Sequence, residues 1–304
     1  MSPKASLFLI GAPKAGTTAL AAKLAGHPAV EALPIKEPAH FGRIDPSKFR
    51  PAYKKLVDWS EPKYFSTTPL QQRHQGFVQS ADHYSALVQQ ASINNPKWIL
   101  DASTMYMWDE AAVPQILEYN PAAKFVVVLR DPIARAYSHW TMATKYGLEK
   151  RSFEEAIEAE AQLPEITYGF DEGYLEFGLY GKMFQRLEKI ISPEQLTVVY
   201  HEDLKEDPSK TLGALTDFLE VAAFETPEIP IENAGGGVPK NALLVKGLMG
   251  LGASLRRSAP KGIAQRAKKW LLKPPPGISR HAHEFLSAYF RADFELYPKH
   301  IKTF

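Results

Sequence analysis

Residues 7–24 read LFLIGAPKAGTTALAAKL. An apolar run is followed by a short segment bounded by Gly11 and Gly16, and then by a run of good helix formers. The pattern reads as strand, loop, helix, and four residues between the two glycines is the spacing of a phosphate-binding loop. In nucleoside-triphosphatases a lysine and then Ser or Thr follow the second glycine directly. Here Lys14 lies inside the loop, and Thr17 and Thr18 follow Gly16. Glycines let backbone N–H groups approach an anion closely, and a helix N-terminus adds partial positive charge. Lys14 adds a mobile ammonium and the threonines add hydroxyl donors. A lysine so early argues against a clamp for a γ-phosphate and Mg²⁺. It suits a nucleotide whose reacting end lies beside the loop.

Outward from this stretch the chain alternates strands and helices. After a strand at 5–10 and a helix from Thr17 to about Ala25, AVEALP (29–34) reads as a short strand. Residues 42–80 mix aromatics, prolines and polar residues without a sustained period, so loops with short helices are expected. ADHYSALVQQA reads as a helix, WILDAS (98–103) as a strand, and residues 110–119 as a helix. KFVVVLR (124–130) is β-branched and apolar throughout, as a central parallel strand should be. Asp131 and Pro132 form an N-cap and first-turn pair that opens a helix with Ile133, Tyr137, Trp140 and Thr144 at helical steps. Helical period returns over 174–191, LTVVY (196–200) is another buried strand, and Asp207-Pro208 opens a further helix. The last helix, about 279–296, is amphipathic. The expected architecture is α/β: a central parallel sheet flanked by helices. Ligands in such folds bind beyond the carboxyl ends of the strands. The polar motifs at 11–18, 101–104 and 130–138 all follow strands directly, which points to one shared site.

Composition narrows the class. The 304 residues are 45% hydrophobic, enough for a large core, and the net charge of +2 argues neither for nor against a polyanionic partner; no nucleic-acid partner is expected. The absence of cysteine excludes disulfides, thiolate catalysis and cysteine metal sites, and fits a reducing cytoplasm. No uninterrupted apolar stretch approaches the ~20 residues of a membrane span. Composition shifts near NAGGGVPK (233–240), and residues 241–277 carry eight Lys or Arg and no acid. The basic run 246–273 reads as a solvated helical face, with contact to a membrane surface or an acidic substrate as the alternative. One domain over 1–304 is expected, with a core at 5–240 and a helical basic extension at 241–304.

A second motif, VVVLRDPIARAYSHW, puts Arg130 at the end of a buried strand and Ser138 two turns into the next helix. The helical side chain tilts back toward the helix start. The two can share one terminal phosphate, the arginine through a charge-assisted fork. The alternative is an Arg130–carboxylate pair with Ser138 facing solvent.

FLIGAPKAGTTAL, KEPAHF and VVLRDPIARAYSHW, in this order, resemble the sulfotransferases that use 3′-phosphoadenosine 5′-phosphosulfate (PAPS), and most closely their bacterial and heparan-sulfate-type branch. The resemblance covers most of residues 5–240. It implies a fold related to nucleotide kinases. It implies that Ala12, Pro13, Lys14, Ala15, Gly16, Thr17 and Thr18 hold the 5′-phosphosulfate, and that Arg130 and Ser138 hold the 3′-phosphate. It implies Glu37 as the base that takes the acceptor proton, with His40 as the rival and Lys14 serving the bridging oxygen. It places Lys240 near a phosphate, in a loop closing over the nucleotide. Heparan-type enzymes usually carry a lysine where Ala102 stands, so a heparan-like polyanion is in doubt as acceptor. Asp101 and Ser103 could face the acceptor or cap the next turn. The reaction expected is sulfuryl transfer from PAPS to a hydroxyl or amine of a carbohydrate, lipid or small metabolite, releasing 3′,5′-phosphoadenosine (PAP). No metal is expected, and the setting expected is cytoplasmic and bacterial. The alternatives are a small-molecule kinase using ATP-Mg²⁺ and a non-enzymatic nucleotide- or membrane-binding module.

Overall fold

The computed structural model describes residues 2–230, 238–239, 272–302 and 304. The order of elements is β1 (Leu7–Gly11), α1 (Thr17–Ala25), β2 (Val30–Ala32), β3 (Ile35–Glu37), α2 (Pro51–Val57), α3 (Glu61–Phe65), β4 (Arg73–Gln75), α4 (Ala81–Ala91) and β5 (Trp98–Asp101). The order continues with α5 (Ala112–Tyr119), β6 (Lys124–Leu129), α6 (Pro132–Lys145), α7 (Phe153–Glu160), α8 (Tyr180–Leu187), β7 (Leu196–Tyr200), α9 (Asp203–Glu206), α10 (Pro208–Leu219) and α11 (Arg280–Phe294).

Five strands form one sheet in the order β2-β5-β1-β6-β7, and every neighbouring pair is parallel. β1 lies at its centre and is buried along its whole length. β6 is buried from Phe125 to Leu129, as a strand covered on both faces must be. The order of β5, β1 and β6 points the carboxyl ends of three neighbouring strands the same way, with staggered ends: Asp101 pairs with Phe8 and Gly11 with Val127. This puts the three polar motifs on one edge, as the alternation of strands and helices leads one to expect.

Helix starts follow local chemistry. The Asp131 carboxylate accepts from the Ala134 amide at 2.6 Å and opens α6, with Pro132 in the first turn. Ser152 and Glu155 form a reciprocal capping box at α7. The 174–191 period resolves into a single 3₁₀ turn at Glu176–Gly178 followed by α8. A Cβ at Gly178 would stand 2.8 Å from the Phe290 ring, so α11 passes close over this break.

Two features differ from the sequence reading. β3 and β4 form a separate two-stranded parallel sheet in which Glu37 pairs with Gln75. Three-residue strands leave no readable alternation. The second concerns α11, at the far end of the chain: Ala282, Leu286 and Phe290 are buried in a cluster with Ala136, Trp140, Phe153 and Ile157, so this helix belongs to the packed body. A third cluster joins Phe49, Phe77, Met105, Ile166 and Phe177, with Tyr53 and Tyr168 partly buried on it. It is assembled from the aromatic loops at 42–80 and 141–180 and stands beside β3 and β4.

Candidate active site

The loop after β1 is a tight turn held by its own backbone. The Ala12 amide donates to the Val128 carbonyl at 2.5 Å and the Ala15 amide to the Ala12 carbonyl at 3.2 Å. Lys14 has φ 69 and Gly16 φ 98, both left-handed. For lysine this is a costly conformation; for glycine it is free. Gly16 is also required sterically, because a Cβ there would lie 2.8 Å from Nδ1 of His201. Gly16 is the N-cap of α1 and offers no capping side chain. The first-turn amides of α1 therefore point out of the turn without an intrahelical acceptor, the arrangement that binds anions.

Lys14 is the electrostatic centre. Its Nζ lies 3.3 Å from Met142 Sδ on α6. Burial, and then the charges of Arg130 and Lys145, lower its pKa to about 8, while Glu37 pulls the other way. Cations crowded this closely are stabilised by an anion placed among them. Arg130, directly after β6, donates from Nη1 to the Lys14 carbonyl at 3.1 Å, and its own carbonyl accepts from Tyr180 OH at 3.1 Å. Burial lowers the Arg130 pKa, with Glu202 and Asp131 opposing. Ser138 is half-buried and its side chain makes no hydrogen bond to any described residue. Lys145 lies two turns beyond it on the same face of α6.

Glu37 ends β3 with its side chain 17% exposed. Lys36 Nζ donates to one oxygen at 2.6 Å and Thr104 Oγ1 to the other at 3.0 Å. Burial raises its pKa, but the Lys36 charge and hydrogen bond, with His74 and Thr104, outweigh burial and hold the carboxyl below its ordinary value. Glu37 is thus an ionised acceptor facing the Lys14 charge. His40 occupies a different environment. Its Nδ1 is 2.8 Å from the Val78 carbonyl and its ring stacks on Tyr84 at 4.3 Å. Burial lowers its pKa, and the charge that opposes this is Glu61.

Asp101 and Ser103 sit in the wall behind the site, 0% and 1% exposed. Asp101 accepts from Ser103 Oγ at 2.7 Å, Tyr84 OH at 2.9 Å and Tyr106 OH at 3.1 Å. Ser103 Oγ then accepts from the Ala39 amide at 3.2 Å, and Tyr106 OH from the His40 amide at 2.9 Å. The network fastens the turn that follows Glu37 to the end of β5. Burial, only partly offset by these donors, raises the Asp101 pKa to about 6. Lys240 and most of the basic run 246–273 lie outside the described residues.

Three side chains of the site were not drawn from the sequence. Thr104 orients Glu37; it closes the 101–104 motif, in which only Asp101 and Ser103 were singled out. Lys145 crowds Lys14 and was readable as the residue seven beyond Ser138 on one helix. His201 packs against Gly16 directly after β7, where it reads as an ordinary capping residue. Its pKa is lowered to about 4 by burial, Arg130 and Lys205. Its neighbours Glu202 and Asp203 are engaged in the ways expected of a cap and an ion pair: the Asp131 amide meets Glu202 at 3.5 Å, and Lys302 meets Asp203 at 3.0 Å.

Taken together, the five-stranded parallel sheet and the left-handed loop after its central strand, with Lys14 and Arg130 joined beside it, define an α/β protein with an anion-ready strand-to-helix loop. The model of the sulfotransferase family matches residues 6–226, and the chain belongs to that family. It is 25% identical over 220 residues to human bifunctional heparan sulfate N-deacetylase/N-sulfotransferase 2, an alignment covering 71% of this chain and 22% of the relative. It is 26% identical over 253 residues to mouse carbohydrate sulfotransferase 15, covering 70% of this chain and 43% of the relative. The chain thus spans less than half the length of these curated relatives. The fold is shared with a sulfotransferase from Alicyclobacillus acidocaldarius, with a TM-score of 0.66 and 19% identity over 96% of this chain and 94% of that one.

Proposed function

We propose that the chain transfers a sulfuryl group from PAPS to an acceptor hydroxyl or amine and releases PAP. The observation that carries this reading is the hydrogen bond from Arg130 to the Lys14 carbonyl, 3.1 Å long, which makes the two phosphate anchors one unit. A nucleotide with phosphate at both the 3′ and 5′ positions satisfies both. The first-turn amides of α1 and the Lys14 ammonium receive the 5′-phosphosulfate; Arg130 and Ser138 receive the 3′-phosphate. Glu37 takes the proton from the acceptor as its oxygen or nitrogen bonds to sulfur. The bond from sulfur to the 5′-phosphate oxygen breaks, and the charge that builds on that oxygen lies against Lys14. A positioned base contributes ~10²–10⁴-fold and preorganised charge a comparable factor.

Glu37 rather than His40 is assigned the base role. Glu37 is ionised and interacts with Lys14. His40 faces Val78 and Tyr84 instead. Asp101 and Ser103 are assigned to holding the turn after Glu37. A kinase acting through ATP-Mg²⁺ would want a lysine directly after Gly16, where Thr17 stands. No helix among the described residues is long and apolar enough to cross a membrane. We extend the reading to a cytoplasmic enzyme of bacterial type, on the cysteine-free composition and the bacterial motif likeness, and to an acceptor among glycans, lipids and small metabolites.

The test is calorimetric titration with PAP and with ATP-Mg²⁺, followed by transfer of label from [³⁵S]PAPS to an acceptor panel. PAP binding tighter than ATP, with label appearing in an acceptor, supports the proposal. Preference for ATP-Mg²⁺ refutes it.

A further inference from the structure

We infer that Gln75, Tyr53 and Tyr168 form an acceptor-recognition wall beside Glu37, and that the acceptor it reads is an uncharged ring bearing several hydroxyls. The inference rests on the sulfotransferase reading above.

The geometry begins with register. Glu37 and Gln75 are direct partners in the parallel pair β3–β4, so their side chains leave the same face. Gln75 Nε2 donates to Tyr53 OH at 2.9 Å, and Tyr53 OH lies 3.1 Å from Tyr168 OH. All three side chains are half-buried. Both phenols feel the Glu37 charge, which raises their pKa further once burial has raised it. The chain of polar groups therefore starts at Gln75, the register partner of the carboxylate that would deprotonate the acceptor.

The wall is rigid. Phe49 packs edge-on against Tyr53 at 5.2 Å and against Tyr168 at 5.7 Å, and Phe77 lies 6.5 Å from Tyr168. The Arg50 amide donates to the Gly169 carbonyl at 3.1 Å, which fastens the start of α2 to the turn carrying Tyr168. A preformed polar wall discriminates strongly, because a ligand that fails to complete its hydrogen bonds leaves buried groups unpaired.

The chemistry follows from what the groups can do. Phenol and carboxamide groups both donate and accept, and so does a hydroxyl. Binding an anion calls for an available cation, and among the described residues the cations carried by these segments, Lys36, Arg50 and Arg73, are already engaged. Lys36 is on Glu37 at 2.6 Å. Arg50 is ion-paired with Glu172. Arg73 donates to the carbonyls of Gln75, Val57 and Asp58 at 2.6, 2.5 and 2.9 Å. A carboxylate or sulfate brought here would lose its hydration without a partner. This separates the chain from an enzyme that accepts a polyanion.

The experiment uses two matched probes, p-nitrophenyl β-glucoside and p-nitrophenyl β-glucuronide, which differ by one carboxylate in place of a hydroxymethyl. Label transfer from [³⁵S]PAPS is measured for the full chain and for Gln75→Leu and Tyr168→Phe, with PAP affinity measured on each. The glucoside is expected to exceed the glucuronide in kcat/KM by roughly tenfold or more. Each variant is expected to lose roughly tenfold for the glucoside, mostly in KM, with PAP affinity unchanged. A glucuronide that equals the glucoside, no transfer to either glycoside, or variants at wild-type kcat/KM overturns the inference while PAP still binds. Loss of PAP binding by the unmodified chain sinks the parent reading instead.

Discussion

The Arg130 guanidinium and the Lys14 carbonyl are hydrogen-bonded at 3.1 Å across 116 residues of sequence. One end of the bond is the tip of the central sheet beside β7; the other is the left-handed residue of the first loop. Neither anchor can shift without the other. Arg130→Ala should therefore cost more than one phosphate contact. A charge-assisted bond contributes about 1.5–3 kcal/mol, so PAP affinity should fall by about 10–100-fold from that contact, with a further loss from a loosened loop. Arg130→Lys should recover only part of it, because a lysine cannot hold the carbonyl and the phosphate in one planar fork. Calorimetry with PAP on the three proteins measures this.

Lys14 gives the site a pH dependence above neutrality. Its pKa is lowered to about 8 by burial and by neighbouring cations. An anion at the loop opposes both influences, so binding raises the pKa and takes up a proton. Between pH 7 and 9 the free protein loses the Lys14 charge first, so PAP affinity should fall as pH rises through about 8. Near pH 8 about half a proton should be taken up per PAP bound. Titrations in buffers of different ionisation enthalpy measure the uptake, and Lys14→Ala should abolish it.

The two candidate bases should separate cleanly. Glu37→Gln keeps the shape of the side chain and the backbone pairing of β3 but accepts no proton. It should lower kcat by ~10²–10⁴-fold and leave PAP affinity within about twofold. His40→Asn should keep most of the turnover, losing mainly stability from the Tyr84 stack. Single-turnover transfer from PAPS distinguishes the outcomes; an active Glu37→Gln protein would move the base role to His40.

Much of the fold around this candidate site is legible in the sequence, and unevenly so. The loop at 11–18, the strand at 124–130 and the Asp131-Pro132 helix start carry their structure in local chemistry: glycine, β-branching and an N-cap. Their convergence follows from the topology of parallel sheets. What was hidden is non-local. Asp101 and Ser103 sit at a strand end, where polar residues often face ligand. Only the tertiary fold shows that Tyr84 and Tyr106 enclose them. The Glu37–Gln75 pairing joins residues from two three-residue strands separated by an aromatic loop, and no periodicity survives in so short a run.

Thr104 offers a finer probe of the same carboxylate. Its hydroxyl donates to Glu37 Oε2 at 3.0 Å and helps hold the carboxyl below its ordinary pKa. Thr104→Val removes the donor with little change in shape. The Glu37 pKa should rise, so the acid limb of the kcat/KM profile should move to higher pH. The plateau should fall only several-fold, because Lys36 still holds the other oxygen. A pH–rate series on the two proteins reads both changes.

A crystal structure with PAP bound tests the whole reading most directly. The 5′-phosphate should rest on the amides between residues 15 and 18 with Lys14 against it, and the 3′-phosphate on Arg130 and Ser138, the adenosine bridging them. Phosphates lodged in separate cavities, or a nucleotide held anywhere away from the Lys14–Arg130 pair, would contradict it.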